Sequence, residues 1–226
     1  MRARLPKRVA EPANLLFAMS TRDHATAARE GDRDTEWPAP TGVVIRGVPW
    51  AIYDALVQTE EENPGMRMTY REGWLEIMSP AGRHETTKKI LARLLEAYAE
   101  ERDLELNAFG STTFRSAEAA RGLEPDECYL LRPAPDLDPP RPDLAIEVAI
   151  TSWKLDRLDV YAGLGVPEVW LWRKGRLEVL VLESSTYVAR DRSALLPDLD
   201  LELLVSFATR TDHVRAVKDY RAALRR

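Results

Sequence analysis

The sequence predicts one α/β or α+β domain in which helices flank a mixed β-sheet. The chain has 226 residues, of which 45% are hydrophobic and 31% charged, a composition typical of a globular protein with one sizeable core. Segments with helical apolar spacing alternate with short runs typical of strands. The run DLAIEVAI (143–150) places apolar or small residues on both faces, as expected for a strand in a sheet covered by helices.

The first half of this domain contains two helices and a hairpin. Residues 49–62 have helical apolar spacing, and an Asn-Pro-Gly sequence ends that helix. The next segment predicts a hairpin with strands near 66–70 and 74–78. Residues 84–103 show the clearest helical pattern, with one apolar stripe opposite a charged face.

The second half is richer in strands. Strands are predicted over 104–114, 127–131, 143–150, 168–172, 177–183 and 186–190. The first of these has an irregularity at Gly110. A helix is predicted over 153–164, with Thr151 or Ser152 as its N-cap and Gly165 at its end.

The two ends of the chain differ from its middle. We expect residues 1–41 to form a disordered extension, 42–206 the folded domain and 207–226 a basic C-terminal helix or tail. Both ends are basic although the net charge is −5, so the acidic excess lies in the domain. Such an acidic domain is not an obvious nucleic-acid platform.

Residue counts exclude several classes of protein. Cys128 is the single cysteine, which rules out an intrachain disulfide or a multi-cysteine zinc site and favours a reducing, cytoplasmic location. Of the three histidines, His24 and His213 lie in the terminal segments, so a histidine zinc triad is not expected. Apolar runs stay well short of the ~20 residues that span a membrane.

A pair of acids on neighbouring strands is the main candidate site. Asp126 opens one predicted strand and Glu147 lies in the middle of another, so adjacent strands would bring them together. Two carboxylates, a backbone carbonyl and waters are typical ligands of Mg²⁺. The alternative is a structural ion pair of Glu147 with Arg141 or Arg157, because a buried carboxylate needs a cation or hydrogen-bond donors.

The helix after this strand supplies cations. Lys154, Arg157 and Tyr161 are spaced three and four residues apart and therefore share one helix face. Near Glu147, Lys154 or Arg157 would orient a water and neutralise charge in a phosphoryl-transfer transition state. A solvated surface lysine is the alternative for Lys154.

Four segments in order resemble the Uma-two (Uma2) family of endonucleases. They are LEIMSP…HE (75–85), EPDECYLL (124–131), RPDLAIEVAITS (141–152) and LDVYAGLGVPEVWLW (158–172), and the resemblance extends over about 42–206. That family belongs to the PD-(D/E)XK superfamily. The resemblance implies a restriction-endonuclease-like core, a mixed β-sheet flanked by helices.

The resemblance also implies roles for individual residues. Asp126 and Glu147 would bind Mg²⁺ or Mn²⁺, and the carbonyl of Val148 would be a further ligand. Glu76 and His84 match other motif positions. Glu76 either completes the acidic cluster or faces solvent. His84 is either a base or, as is more common, a helix-start residue or a hydrogen-bonding side chain.

The lysine typical of the superfamily is displaced here. It would stand two residues after Glu147, where this chain has Ala149. In the family it moves to the following helix, where this chain has Arg157. Arginine keeps the charge but does not readily transfer a proton, and Lys154, one turn earlier, is a substitute.

Two functions follow from these features. The first is a metal-dependent endonuclease that hydrolyses phosphodiester bonds in DNA. The second is a catalytically impaired nuclease-fold module that binds nucleic acid or a protein partner. The alternating Trp170 and Trp172 belong either to the core or to an interface, and the latter would suit a homodimer.

Overall fold

The computed structural model describes most of the chain from Gly42 onwards. The described residues are 42–62, 66–78, 82–110, 112–133, 141–149 and 155–226. The predicted disordered extension, the residues Thr151 and Ser152 proposed as helix caps, and Lys154 therefore lie outside the described residues.

Helices and strands alternate along the described part of the chain. The helices are α1 Trp50–Glu62, α2 Gly82–Glu101, α3 Arg157–Leu164, α4 Leu201–Ala208 and α5 His213–Leu224. The strands are β1 Gly42–Arg46, β2 Arg67–Arg71, β3 Trp74–Met78, β4 Asn107–Ala108, β5 Phe114–Ser116, β6 Arg121–Leu123, β7 Glu127–Leu130, β8 Leu144–Val148, β9 Glu168–Arg173, β10 Arg176–Glu183 and β11 Thr186–Arg190.

These strands form two sheets among the described residues. The first sheet is antiparallel, with the order β1-β3-β2-β6-β5. The second sheet has the order β11-β10-β9-β8-β7-β4 and is mixed, because β8 and β9 are parallel while their neighbours are antiparallel. The predicted α+β fold with a mixed sheet flanked by helices is confirmed.

The prediction of one sheet was wrong. The segment 104–114 does not form one strand: β4 joins the second sheet and β5 joins the first. Between them the backbone of Gly110 adopts a φ of 53°, in the left-handed region that glycine tolerates. The first sheet also contains β1 and β6, which were not predicted: β1 has the sequence GVVIR, in which three consecutive apolar residues hide the alternation, and β6 has three residues.

Helix α3 begins later than predicted. It starts at Arg157 because Asp156 is its N-cap, and the Asp156 carboxylate accepts hydrogen bonds from the backbone N–H groups of Leu158 and Asp159. Residues 155 and 156, which were predicted as helical, therefore precede the helix. The predicted end is confirmed, since Gly165 adopts a φ of 72° and closes the helix.

Each sheet packs against helices. One face of the second sheet contributes Trp170 and Trp172 to the largest core cluster, which includes residues of α2, α4 and α5. The opposite face packs against α3, and the first sheet packs against α1. Both tryptophans are buried, so they belong to the core and do not form an interface.

Two arginines at the C-terminal end of α5 pair with acids of α2. Arg221 contacts Glu100 and Glu101, and Arg225 contacts Glu101. The helix thus uses these charges within the protein. Among the described residues, we find no helix with the length and apolarity required for a membrane span.

Candidate active site

Two buried carboxylates face each other where β7 and β8 pair. Glu127 pairs with Ile146 in this antiparallel ladder, so the preceding residue, Asp126, lies next to Glu147. Only 3% of Asp126 and 2% of Glu147 is exposed to solvent. The structure therefore brings the two predicted acids together in a setting where each charge needs compensation.

Three donors hold Asp126. Arg67 Nη1 lies 3.0 Å from Oδ1, while His84 Nε2 and the backbone nitrogen of Val148 each lie 2.7 Å from Oδ2. Burial alone would raise the pKa of Asp126. The His84 hydrogen bond and the charges of His84, Arg157 and Arg67 outweigh burial, so the pKa lies below the ordinary 3.8. Asp126 is therefore held in its ionised form.

Glu147 has fewer compensating partners. Arg157 Nη2 lies 2.5 Å from Oε1, and the Tyr161 hydroxyl donates to the same oxygen. Burial raises the pKa of Glu147 above 4.5; Arg157 acts in the opposite direction, and the negative charge of Asp126 raises the pKa further. The charge of each acid therefore affects the protonation of the other, and Glu147 holds its proton more tightly than Asp126 does.

Arg157 connects the two sheets at this point. Its Nη1 donates to Thr69 Oγ1 of β2 at 2.8 Å, and its Nη2 donates to the carbonyl of Glu124 at 2.8 Å. Arg157 is thus the ion-pair partner of Glu147. Arg141, the other arginine considered for this role, instead donates to the carbonyl of Gly165.

Arg67 is a site residue that the sequence analysis missed. It begins β2, and its guanidinium also lies 3.2 Å from the carbonyl of Pro125 and 3.5 Å from Glu124 Oε1. The alternation of β2 places Arg67 on the same face as Thr69. That alternation was the available signal, but the sequence does not show which sheet would cover this face.

His84 lies between two carboxylates in the first turn of α2. Its Nε2 contacts Asp126, and its Nδ1 lies 3.3 Å from Glu85 Oε1. Burial lowers the pKa of His84, but the hydrogen bond and charge of Asp126 raise it more, so the pKa lies above 6.5. His84 is therefore a hydrogen-bonding residue of the site.

Glu76 does not face solvent. It is buried in β3 opposite Thr69, and its Oε2 accepts a hydrogen bond from the backbone nitrogen of Leu155 at 3.3 Å. This places Glu76 on the face of the first sheet that also carries Thr69, the partner of Arg157. The solvent-facing alternative was wrong.

The donor chemistry of the site fits a hard divalent cation. Among the described residues, we find no cluster of three or more His, Cys, Asp or Glu side chains arranged to hold a metal. Magnesium does not require one, because it commonly keeps several waters and binds through one or two carboxylates. Asp126, Glu147 and the carbonyl of Val148 offer a ligand set of that kind.

The fold and the paired carboxylates define a protein of the restriction-endonuclease-like class. A sequence model of the Uma2 family, described as "Putative restriction endonuclease", matches residues 50–212, which is most of the chain. The chain belongs to the Uma2 family, and the resemblance stated from its motifs is confirmed. The search of curated proteins returned no match.

Proposed function

We propose that this protein is a divalent-metal-dependent endonuclease that hydrolyses phosphodiester bonds in DNA in the cytoplasm. One observation carries the proposal: a family of restriction-endonuclease type matches the chain, and its β7–β8 pair holds Asp126 and Glu147 side by side in a buried, cation-lined setting. Buried like charges with perturbed pKa values are typical of functional sites.

Three groups would hold the metal. Asp126, Glu147 and the carbonyl of Val148 are the proposed ligands of Mg²⁺ or Mn²⁺. When bound, such an ion polarises the scissile phosphate and lowers the pKa of the attacking water. Because Glu147 binds its proton more tightly than an ordinary glutamate, metal affinity should rise with pH as this proton is lost.

The surrounding side chains would prepare the site for hydrolysis. Arg67 and His84 keep Asp126 ionised and oriented, and Tyr161 orients Glu147. Arg157, together with Lys154, would stabilise the charge that develops on the phosphate. Glu76, on β3 of the first sheet, would serve as an accessory acid.

The proposed reaction is a direct hydrolysis. The oxygen of water forms a bond to phosphorus while one P–O ester bond of the DNA backbone breaks. The proton of the water passes to solvent, and the leaving alkoxide takes a proton from solvent. The products are a phosphate monoester and a hydroxyl end. Arg157 takes no part in proton transfer because its guanidinium stays protonated.

Cleavage of supercoiled plasmid tests this function. The purified protein should nick or linearise the plasmid with Mg²⁺ or Mn²⁺ and leave it intact in a chelator. Glu147→Gln, purified in the same way, should leave the plasmid intact under all conditions. Equal cleavage by the wild type and Glu147→Gln would remove Glu147 from the mechanism.

A non-enzymatic module that binds nucleic acid or a protein is the second candidate. One observation favours it: the protein's own cations Arg67 and Arg157 already compensate the two acids, and an arginine stands where the family has a lysine. This candidate predicts that Mg²⁺ and Mn²⁺ leave the melting temperature unchanged. A metal-dependent rise that disappears in Asp126→Ala would contradict it, because a ligand of the native state stabilises that state.

A further inference from the structure

The site has no lysine at either of the two positions where the resemblance places one. Ala149 follows Glu147 on the strand and Arg157 begins the next helix. Helix α2 supplies a different lysine. Lys88 lies four residues after His84 and therefore on the same face of α2, the face that reaches Asp126 through His84.

Lys88 is buried although a lysine on a helix surface normally extends into solvent. Its side chain is 5% exposed, whereas that of its neighbour Lys89 is 64% exposed. Burying an ammonium group is costly unless the group finds acceptors. Because the fold buries the Lys88 side chain, the groups around its ammonium must account for that burial.

The surroundings of Lys88 provide one acceptor among the described residues. Its Nζ lies 2.8 Å from Glu85 Oε2. An ammonium has three N–H donors, so two of them have no acceptor within the described part of the chain. These donors are suited to an oxygen-rich, anionic ligand.

Glu85 connects Lys88 to the paired carboxylates. Glu85 Oε1 lies 3.3 Å from His84 Nδ1 and 3.8 Å from Arg67 Nη2, and both of those residues contact Asp126. The Glu85 side chain is 41% exposed, so solvent reaches this network at Glu85, whose Oε2 lies 2.8 Å from the Lys88 ammonium. A phosphate that approaches Asp126 from the side of Glu85 would meet the ammonium.

We propose that Lys88 is a further catalytic residue, whose ammonium binds a non-bridging oxygen of the scissile phosphate. This proposal rests on the proposed nuclease function. The ammonium acts by charge and hydrogen bonding: it binds the phosphate in the ground state and stabilises the additional charge of the transition state. It forms no covalent bond and exchanges no proton in the reaction.

The test compares Lys88→Met with Lys89→Met as a matched control. Lys89 is its neighbour on the same helix but lies outside the network, paired with Glu127. Lys88→Met should slow single-turnover cleavage of DNA by about 100-fold or more, the usual effect of removing a donor to the developing charge. Lys89→Met should cleave at a rate close to that of the wild type. Lys88→Arg, which retains charge and donors, should recover part of the loss.

A second readout does not depend on cleavage. In a chelator, Lys88→Met should bind a short labelled DNA duplex more weakly than the wild type, and its affinity should depend less steeply on salt by about one phosphate contact. A protein that merely lost packing would show a lower melting temperature without this change in salt dependence. If Lys88→Met does not fold, Lys88→Gln, which removes the charge but keeps a polar side chain, provides the same comparison of affinity and salt dependence.

The outcomes separate this proposal from the function on which it rests. If Lys88→Met cleaves like the wild type while Glu147→Gln is inactive, Lys88 is not catalytic and the nuclease function stands. If the wild type does not cleave DNA with any divalent metal, the proposed function fails, and the affinity and salt dependence of Lys88→Met still decide whether Lys88 binds phosphate. Unchanged affinity and salt dependence would overturn its role.

Discussion

Glu147 and Glu168 are buried glutamates on adjacent strands of the second sheet, but the protein compensates their charges differently. Glu168 begins β9 and is surrounded by neutral donors. Its carboxylate accepts hydrogen bonds from the side chains of Trp170 and Ser193 and from the backbone nitrogens of Ala194 and Leu195. The bonds from Ser193, Ala194 and Leu195 connect the sheet to the segment that follows β11, so Glu168 is a structural carboxylate.

Glu147 is compensated by a charged residue and lies beside a second acid. Arg157 and Tyr161 contact one of its oxygens, and Asp126 raises its pKa. Neutral donors in fixed positions satisfy the Glu168 carboxylate, whereas the proposed function rests on two adjacent acids that are held by cations. Burial alone therefore does not identify a functional carboxylate; the groups that surround the carboxylate do.

The largest effect on stability should come from removing the cation beside Glu147. Arg157→Met leaves Glu147 buried without its ion-pair partner, and we expect a loss of about 3–5 kcal/mol in the free energy of unfolding. Urea denaturation measures this loss. Arg157→Lys, which retains the charge, should lose less. An Arg157→Met protein as stable as the wild type would show that Glu147 is neutral or solvated in the folded state.

Removing the structural carboxylate should have a smaller effect on stability and none on chemistry. Glu168→Ala leaves the donors of Trp170, Ser193 and Ala194 without their acceptor. One unsatisfied buried group costs about 1–3 kcal/mol, and because the space left by the shorter side chain lets water satisfy most of these donors, we expect a net loss of about 1–3 kcal/mol. The folded fraction, determined by calorimetry, should retain its cleavage rate. A selective loss of cleavage would place Glu168 in the site.

The two acids of the site should affect the pH dependence of stability in opposite directions. Asp126 has a pKa below 3.8, so its ionised form stabilises the fold above pH 3.8, and this contribution is lost as the pH falls below that value. Glu147 has a pKa above 4.5, so it opposes folding as the pH rises from 4.5 through its pKa in the folded protein.

Denaturation at a series of pH values tests these opposite contributions of Asp126 and Glu147 to stability. Asp126→Asn should flatten the stability profile below pH 3.8, and Glu147→Gln should flatten it above pH 4.5. If both substitutions change stability in the same pH range and in the same direction, Glu147 is not the acid that holds its proton more tightly.

The smallest effect should come from the surface pairs between α2 and α5. Hydrogen bonds from Arg225 and Arg221 lower the pKa of Glu101 to about 2, but the Arg225 side chain is 67% exposed, so solvent and salt screen its charge. Arg225→Met should therefore change the melting temperature only slightly at low salt and not at all at 1 M salt, where the screening length is about 3 Å. A large, salt-independent decrease would show that Arg225 contributes through packing.

The sequence was sufficient to predict the pair Asp126 and Glu147 because each lies on or beside a strand with a clear pattern. Helical spacing also predicted correctly that Arg157 and Tyr161 lie on one face, and both contact Glu147. The family motifs covered the same segments. These features depend on local periodicity, which a sequence shows directly.

The remaining contacts depend on how distant segments pack. Arg67 contacts Asp126 across 59 positions of the chain, and the Glu76 contact with Leu155 spans 79. Local patterns carry no information about such pairs. The start of α3 was also misjudged, because Asp156 competes with Thr151 and Ser152 as a cap and only the folded chain shows which residue takes that role.

The most direct test is plasmid cleavage by the wild type, Glu147→Gln and Glu168→Gln at equal folded concentration with Mg²⁺. This experiment compares two isosteric changes at two buried carboxylates of the same sheet. The account predicts cleavage by the wild type and by Glu168→Gln and none by Glu147→Gln. Cleavage by Glu147→Gln at the wild-type rate would contradict the assignment of the active site to the paired carboxylates.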